Sequence, residues 1–171
     1  ESTLAGGERD GLPLGQYFQQ FPEVLGKNAR AFRDFPVLIK LIDAKDPLSI
    51  QVHPSDEYAL RVEGEYGKTE MWVIVDCEPG AFLYFGVNRP VSKEEFQQRI
   101  ENNTVLEVLN KVEVHPGDVF FIQSGTIHAI GAGILICEIQ QNSNCTYRVY
   151  DYGRRGADGK PRELHIAKAL D

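Results

Sequence analysis

No stretch of this sequence stays apolar for the ~20 residues that a bilayer span requires. Nor does the chain open with the charged-then-apolar pattern of a secretory signal. Cysteine is scarce: Cys77, Cys137 and Cys145 are the three in 171 residues, an odd number with no C-x-x-C spacing. That argues against a disulfide framework or a cysteine metal knuckle and fits reduced packing thiols in a cytoplasmic protein. Positive charge is in deficit, with 18 Lys+Arg against 25 Asp+Glu and a net charge of -7. Wrapping nucleic acid is therefore not expected. A small anionic substrate is still allowed, since it needs only a local positive site. There is no internal repeat, low-complexity tract, GxGxxG or P-loop.

What remains is a globular composition, 42% hydrophobic and 25% charged, of about one domain's length. The chain begins at Glu1 in a Gly-rich polar stretch and ends in "RELHIAKALD", which reads as a helix cut short, so a fragment of a longer protein is expected. Residues 1–34 mix loop with weak helical signal ("LGQYFQQFPEVLG") and are expected to pack on a barrel formed by residues 35–171. From Phe35 onward short apolar strands alternate with turns. "PVLIKLIDA", "SIQVH", "EMWVIVDC" and "GAFLYFG" read as strands, the third buried on both faces. "PSDEYALRVEG" reads as a helix capped by Ser55 and stopped at Gly64. "SKEEFQQRIENN" carries a Ser92/Glu95 capping box, and "TVLEVLN" repeats that spacing with Thr104 and Glu107, so two more helices are expected. Residues 111–153 hold four or five strands with turns at Pro116-Gly117-Asp118, Ser124-Gly125 and Gly131-Ala132-Gly133. Many short strands with Gly/Pro turns predict a mainly β fold, a sandwich or barrel with a few helices at its margin.

Several polar residues interrupt these strands. Gln51 and His53 stand two apart in "LSIQVHP", so both aim at one point. Glu70 opens "EMWVIVDC" on the face of Trp72 and Ile74, and His128 lies in the otherwise apolar "GTIHAIG". A carboxylate on a core face is costly unless paired or bound to metal. Two imidazoles, a carboxylate and an amide oxygen make a reasonable zinc set, which only a closed barrel or sandwich would gather. Taken one at a time, each residue has a plainer reading: a core histidine is usually just hydrogen-bonded, and Glu70 has Lys68 or Arg61 as a partner. His115 and His165 read in that plain way.

The strings "GKTEMWVIV" and "HPGDVFFIQSGTIHAIG" look like the two cupin motifs, and with "PLSIQVHP" ahead of them the set resembles the type I phosphomannose isomerases in their short bacterial form. The resemblance runs from about Phe35 to the end. It implies a cupin-type β-barrel or jelly roll, and one Zn²⁺ per chain held by Gln51, His53, Glu70 and His128. It implies isomerisation of mannose 6-phosphate and fructose 6-phosphate through an enediolate, with Arg148 in "SNCTYRVYDYGR" as the catalytic arginine and Lys68 at the family's lysine position. Ser49 is a candidate phosphate contact by its place before the Q-x-H motif, and Glu138 in "LICEIQQ" a candidate substrate contact or base. The long members continue differently after the arginine, so their downstream lysine is not assigned to Lys160. Members of the family are also longer, with an N-terminal start and a second β-domain that this chain lacks. Two rivals remain. One is an iron or manganese cupin oxygenase, although such sites favour H-x-H where this chain has Gln51. The other is a non-catalytic sugar-binding regulatory module, against which Lys68 and Arg148 both count. The partner expected is a small sugar phosphate, with neither nucleic acid nor membrane; the sequence leaves the oligomeric state open.

Overall fold

The computed structural model describes residues 2–32 and 34–171. The chain divides into two compact units, Glu1–Leu38 and Ile39–Asp171. In the first, helix α1 (Leu14–Gln20) is followed by a 3-10 turn at Pro22–Leu25 and a short helix α2 (Gly26–Ala29). Aromatic contacts tie it together: Tyr17 lies 5.1 Å from Phe21, and Phe18 stacks on Phe35 at 5.0 Å.

The second unit is built from nine strands, the first of which begins in the preceding unit: β1 (Val37–Ala44), β2 (Ile50–Val52), β3 (Glu70–Cys77), β4 (Phe82–Val87), β5 (Leu109–Glu113), β6 (Val119–Ile122), β7 (His128–Ile130), β8 (Ile134–Gln141) and β9 (Tyr147–Tyr150). They form two sheets, ordered β1-β8-β3-β6 and β5-β4-β7-β2-β9, whose pairings are antiparallel wherever the register is defined. Trp72, Ile74, Ile122, Ile134 and Ile136 from the first sheet meet Leu83 and Ile130 from the second in one core. Two antiparallel sheets closing on a shared interior are the expected jelly-roll architecture.

Alternation along each strand sets what this interior holds. On β7, His128 and Ile130 face inward, while Ala129 faces outward and joins Ile50 and Val149 in a second cluster. Ile100 from α4 (Lys93–Glu101), Val105 from a 3-10 turn (Val105–Val108) and, at its margin, Ile166 from α5 (Ile166–Leu170) cover that outer face. The remaining helix, α3 (Asp56–Val62), starts at Ser55, whose Oγ accepts the Tyr58 N–H at 3.3 Å as the capping signal predicts.

Three local expectations change. The Thr104/Glu107 box makes no cap hydrogen bond; the segment is a 3-10 turn that passes directly into β5. The Ser92 cap forms, but the Glu95 carboxylate reaches Arg89 and Arg99 instead of closing the box. Strand β3 is not buried on both faces. Glu70, Trp72 and Ile74 are buried, whereas Val75 on the opposite face is 46% exposed, beside Phe121 and Val119 of β6, each 57% exposed.

Candidate metal centre

Cross-strand register assembles the site. Gln51 on β2 is the direct partner of His128 on β7 and of Arg148 on β9. Glu70 is the first residue of β3, opposite Ile122 and Gln140. His53 follows β2, and its carbonyl accepts the N–H of Gly125 at 2.8 Å. Gly125 takes φ +83°, a conformation open to glycine, and so turns the chain into β7 and His128.

Both imidazoles are oriented by the backbone. His53 donates from Nδ1 to the Cys145 carbonyl at 3.0 Å, and His128 from Nδ1 to the Thr126 carbonyl at 2.8 Å. A carbonyl only accepts, so each Nδ1 carries a proton, and in the neutral imidazole each Nε2 then carries the lone pair. Those lone pairs point at Glu70. Nε2 of His53 is 3.5 Å from Oε2, and Nε2 of His128 is 3.2 Å from Oε1. All three side chains are at most 1% exposed, and their facing atoms lie within 4.8 Å of one another. His53 Nε2 and both Glu70 oxygens make no hydrogen bond.

The charge states sharpen the point. Burial, reinforced by His128 and Lys68 and opposed by Glu70, pulls the His53 imidazole down to about 4, so it is neutral near pH 7. For Glu70 burial acts upward, but the imidazoles of His128 and His53 outweigh it and hold the carboxyl well below the usual range. An ionised carboxylate and two imidazole nitrogens converge in a buried site where His53 Nε2 and both Glu70 oxygens make no hydrogen bond; the donors beside it are the Gln51 amide against His128 Nε2 and Lys68 Nζ, 3.3 Å from Glu70 Oε2. A divalent cation satisfies all three at once, and imidazole Nδ1–H groups tied to carbonyls are the outer contacts that metal-bound histidines ordinarily make. Gln51 flanks the cluster, with its amide nitrogen 3.4 Å from His128 Nε2. The residues present therefore fit a metal ion.

Lys68 is buried, with Nζ 3.3 Å from Glu70 Oε2. Its backbone N–H donates to the Pro54 carbonyl at 3.0 Å, and Gly67 packs so tightly there that a Cβ would meet Pro54 O at 2.4 Å. Arg148 is half-buried. Its Nε donates to Ser49 Oγ at 3.1 Å and its Nη1 to the Glu163 carbonyl at 3.0 Å. Ser49 and Arg148 thus meet each other just before β2 begins, two residues ahead of Gln51. Glu138 is engaged elsewhere: it accepts from Lys40 Nζ at 2.9 Å and from Trp72 Nε1 at 3.2 Å. Trp72 in turn sets its ring edge-on to His128 at 5.3 Å.

Two features escaped the sequence. The Cys145 and Thr126 carbonyls are backbone groups, which no residue identity betrays. Lys40 stands alone among apolar residues in "PVLIKLIDA", the same signal that marks Glu70, and it bridges Glu138 and Gln140.

Residues 2–75 match the family model for phosphomannose isomerase type I, catalytic domain. The chain is 45% identical over 172 residues to mannose-6-phosphate isomerase ManA of Bacillus subtilis, covering 100% of this chain and 54% of that one. The chain is similar to the type I phosphomannose isomerases. It is also 43% identical over 170 residues to the mannose-6-phosphate isomerase of Streptococcus mutans, covering 99% of this chain and 53% of that protein. The crystal structure of the Bacillus subtilis mannose 6-phosphate isomerase superposes with a TM-score of 0.89 at 43% identity, over 99% of this chain and 53% of that one. The chain spans about half the length of the phosphomannose isomerases it matches. Its cupin-type β fold is the fold of that relative.

Proposed function

We propose that this chain carries the metal centre of a mannose-6-phosphate isomerase, interconverting mannose 6-phosphate and fructose 6-phosphate with one Zn²⁺ per chain. The observation that carries the reading is the buried His53–Glu70–His128 cluster, in which His53 Nε2 and both Glu70 oxygens make no hydrogen bond. His53, Glu70 and His128 would hold the ion, with the amide of Gln51 as the neutral fourth group. Two neutral imidazoles, one carboxylate and an amide suit Zn²⁺. When bound, such an ion supplies Lewis-acid polarisation of the open-chain sugar's carbonyl.

The remaining groups act on the sugar. Proton transfer between C1 and C2 builds negative charge on two neighbouring oxygens. Arg148, fixed through Ser49 and the Glu163 carbonyl, presents its planar fork to that charge as it develops. Lys68, with Nζ 3.3 Å from Glu70 Oε2, stands beside the cluster and donates to a sugar oxygen. Glu138, already shared by Lys40 and Trp72, positions His128 through the indole ring.

The test is a coupled assay on mannose 6-phosphate after chelation and readdition of single metals. The reading expects activity lost with the metal and restored by zinc. Restoration by iron together with oxygen consumption would favour an oxygenase. Tight sugar binding without turnover would favour a regulatory module.

A further inference from the structure

The outer face of the β1-β8-β3-β6 sheet is apolar and open to solvent. Alternation on β3 sends Glu70, Trp72 and Ile74 inward and Met71, Val73 and Val75 outward. The register sets Phe121, Met71 and Ile139 side by side across β6, β3 and β8, with Val119, Val73 and Cys137 in the next row. On β1, Lys40 reaches inward to Glu138, so its neighbours Ile39 and Leu41 point outward beside β8. Ile39 is 62% exposed, Leu41 74%, and Val119 and Phe121 57% each.

Size says what such a face suits. With roughly 150–200 Å² as the full area of a large apolar side chain, Ile39, Leu41, Val75, Val119 and Phe121 leave about 500 Å² of apolar surface in water. The half-buried residues of the two rows between them bring the face to about 700 Å². The largest apolar patch on an ordinary monomer is about 300–600 Å², and each side of a stable dimer covers about 800 Å². The acids stand at one end, where Asp43, Asp76 and Glu78 line a common cavity past Val75. A partner for this face is therefore another apolar sheet face, and a second copy brings one. A two-fold axis across the strands sets the acidic end of each copy over the opposite end of the other, so the acids of the two copies stay apart. Sheets stacked about 10 Å apart, with their strands about 30° off line, interdigitate side chains of this kind.

We propose that two copies of this chain pair through the outer face of the β1-β8-β3-β6 sheet in a two-fold dimer, with Leu41 and Phe121 as its anchors. Glu70 and Trp72 face the interior, so pairing leaves the metal cluster untouched and the inference stands independently of the isomerase reading. The net charge of -7 on each copy opposes association at long range. The contact itself is uncharged, so added salt tightens the dimer by screening that repulsion.

Sedimentation equilibrium on the 171-residue chain, from about 1 to 100 µM, tests it. The wild type should reach a dimer at the upper end, with a Kd that falls as NaCl rises from about 0.05 to 0.5 M. Leu41→Glu and Phe121→Glu should each raise that Kd at least about thirtyfold, the scale for losing a central anchor. Both side chains are exposed in the single chain, so circular dichroism and zinc uptake should not change. Leu60→Glu alters an apolar residue of α3 that is 49% exposed and outside this sheet, and should leave the Kd as it is. A monomer at every concentration overturns the pairing and leaves the face to a different protein. A dimer that ignores both sheet variants, or that loosens with salt, overturns it by placing the contact elsewhere. Association that grows past two chains overturns the two-fold arrangement.

Discussion

His53 and His128 come within 4.8 Å ring to ring, and each turns Nδ1 away from the other toward a backbone carbonyl. The pair thereby holds two Nε2 lone pairs against the Glu70 carboxylate, an arrangement that costs free energy until a cation enters. Metal binding should therefore stabilise the fold. At a free concentration a hundredfold above Kd the gain is about 2.7 kcal/mol, or a Tm rise of roughly 5–10 °C for a chain of this size. Thermal unfolding with and without chelator measures it.

Lys68 is the present counter-charge of Glu70. Replacing it with Met should destabilise the metal-free chain by about 3 kcal/mol, since it leaves a buried carboxylate unpaired. The metal-loaded chain should suffer much less, because the cation replaces the ammonium. Urea unfolding of both forms shows the difference. Equal losses in the two would mean that Lys68 supports something other than Glu70.

Arg148→Ala should leave metal content unchanged and lower kcat and kcat/KM alike by about 10²–10³, the scale for losing one preorganised donor to a developing oxyanion. Arg148→Lys should recover only part of this. A raised KM with unchanged kcat would make Arg148 a ground-state contact.

Asp151 gives a pH dependence with a defined sign. Burial pushes its carboxyl up, but Arg162 and Arg154 outweigh that and hold it below the usual range. A depressed folded pKa means the unfolded chain binds the proton first, so the stabilisation is present above the unfolded value near 3.9 and lost as pH falls through the folded one. Asp151→Asn should then cost most at neutral pH and progressively less as pH falls below the unfolded value, by denaturant titration across that range.

Much of this cluster is legible in the amino-acid order, because its residues break the apolar rhythm of strands: Gln51 and His53 before Pro54, Glu70 before Met71-Trp72, His128 at the head of the apolar strand β7. Burial makes such residues conspicuous. What holds them is less legible. The carbonyls of Cys145 and Thr126 act through backbone, and Asp151 draws Arg162 from eleven residues away, a pairing that no local period encodes. The Thr104/Glu107 spacing misled because the strand that follows at Leu109 claims the segment through its ladder with β4, so a helix never propagates past the 3-10 turn. On β3 an apolar run suggested burial on both faces, yet periodicity cannot say whether a second layer lies over a sheet.

The most direct test is calorimetric titration of the metal-stripped 171-residue chain with Zn²⁺, in the wild type and in His128→Ala, with metal content read by mass spectrometry. One ion per chain is expected in the wild type, with occupancy collapsing in the variant while its circular dichroism stays β-rich. No zinc uptake by the wild type, or one ion still bound by His128→Ala with unchanged affinity, would contradict the assignment of His53, Glu70 and His128 as the metal centre.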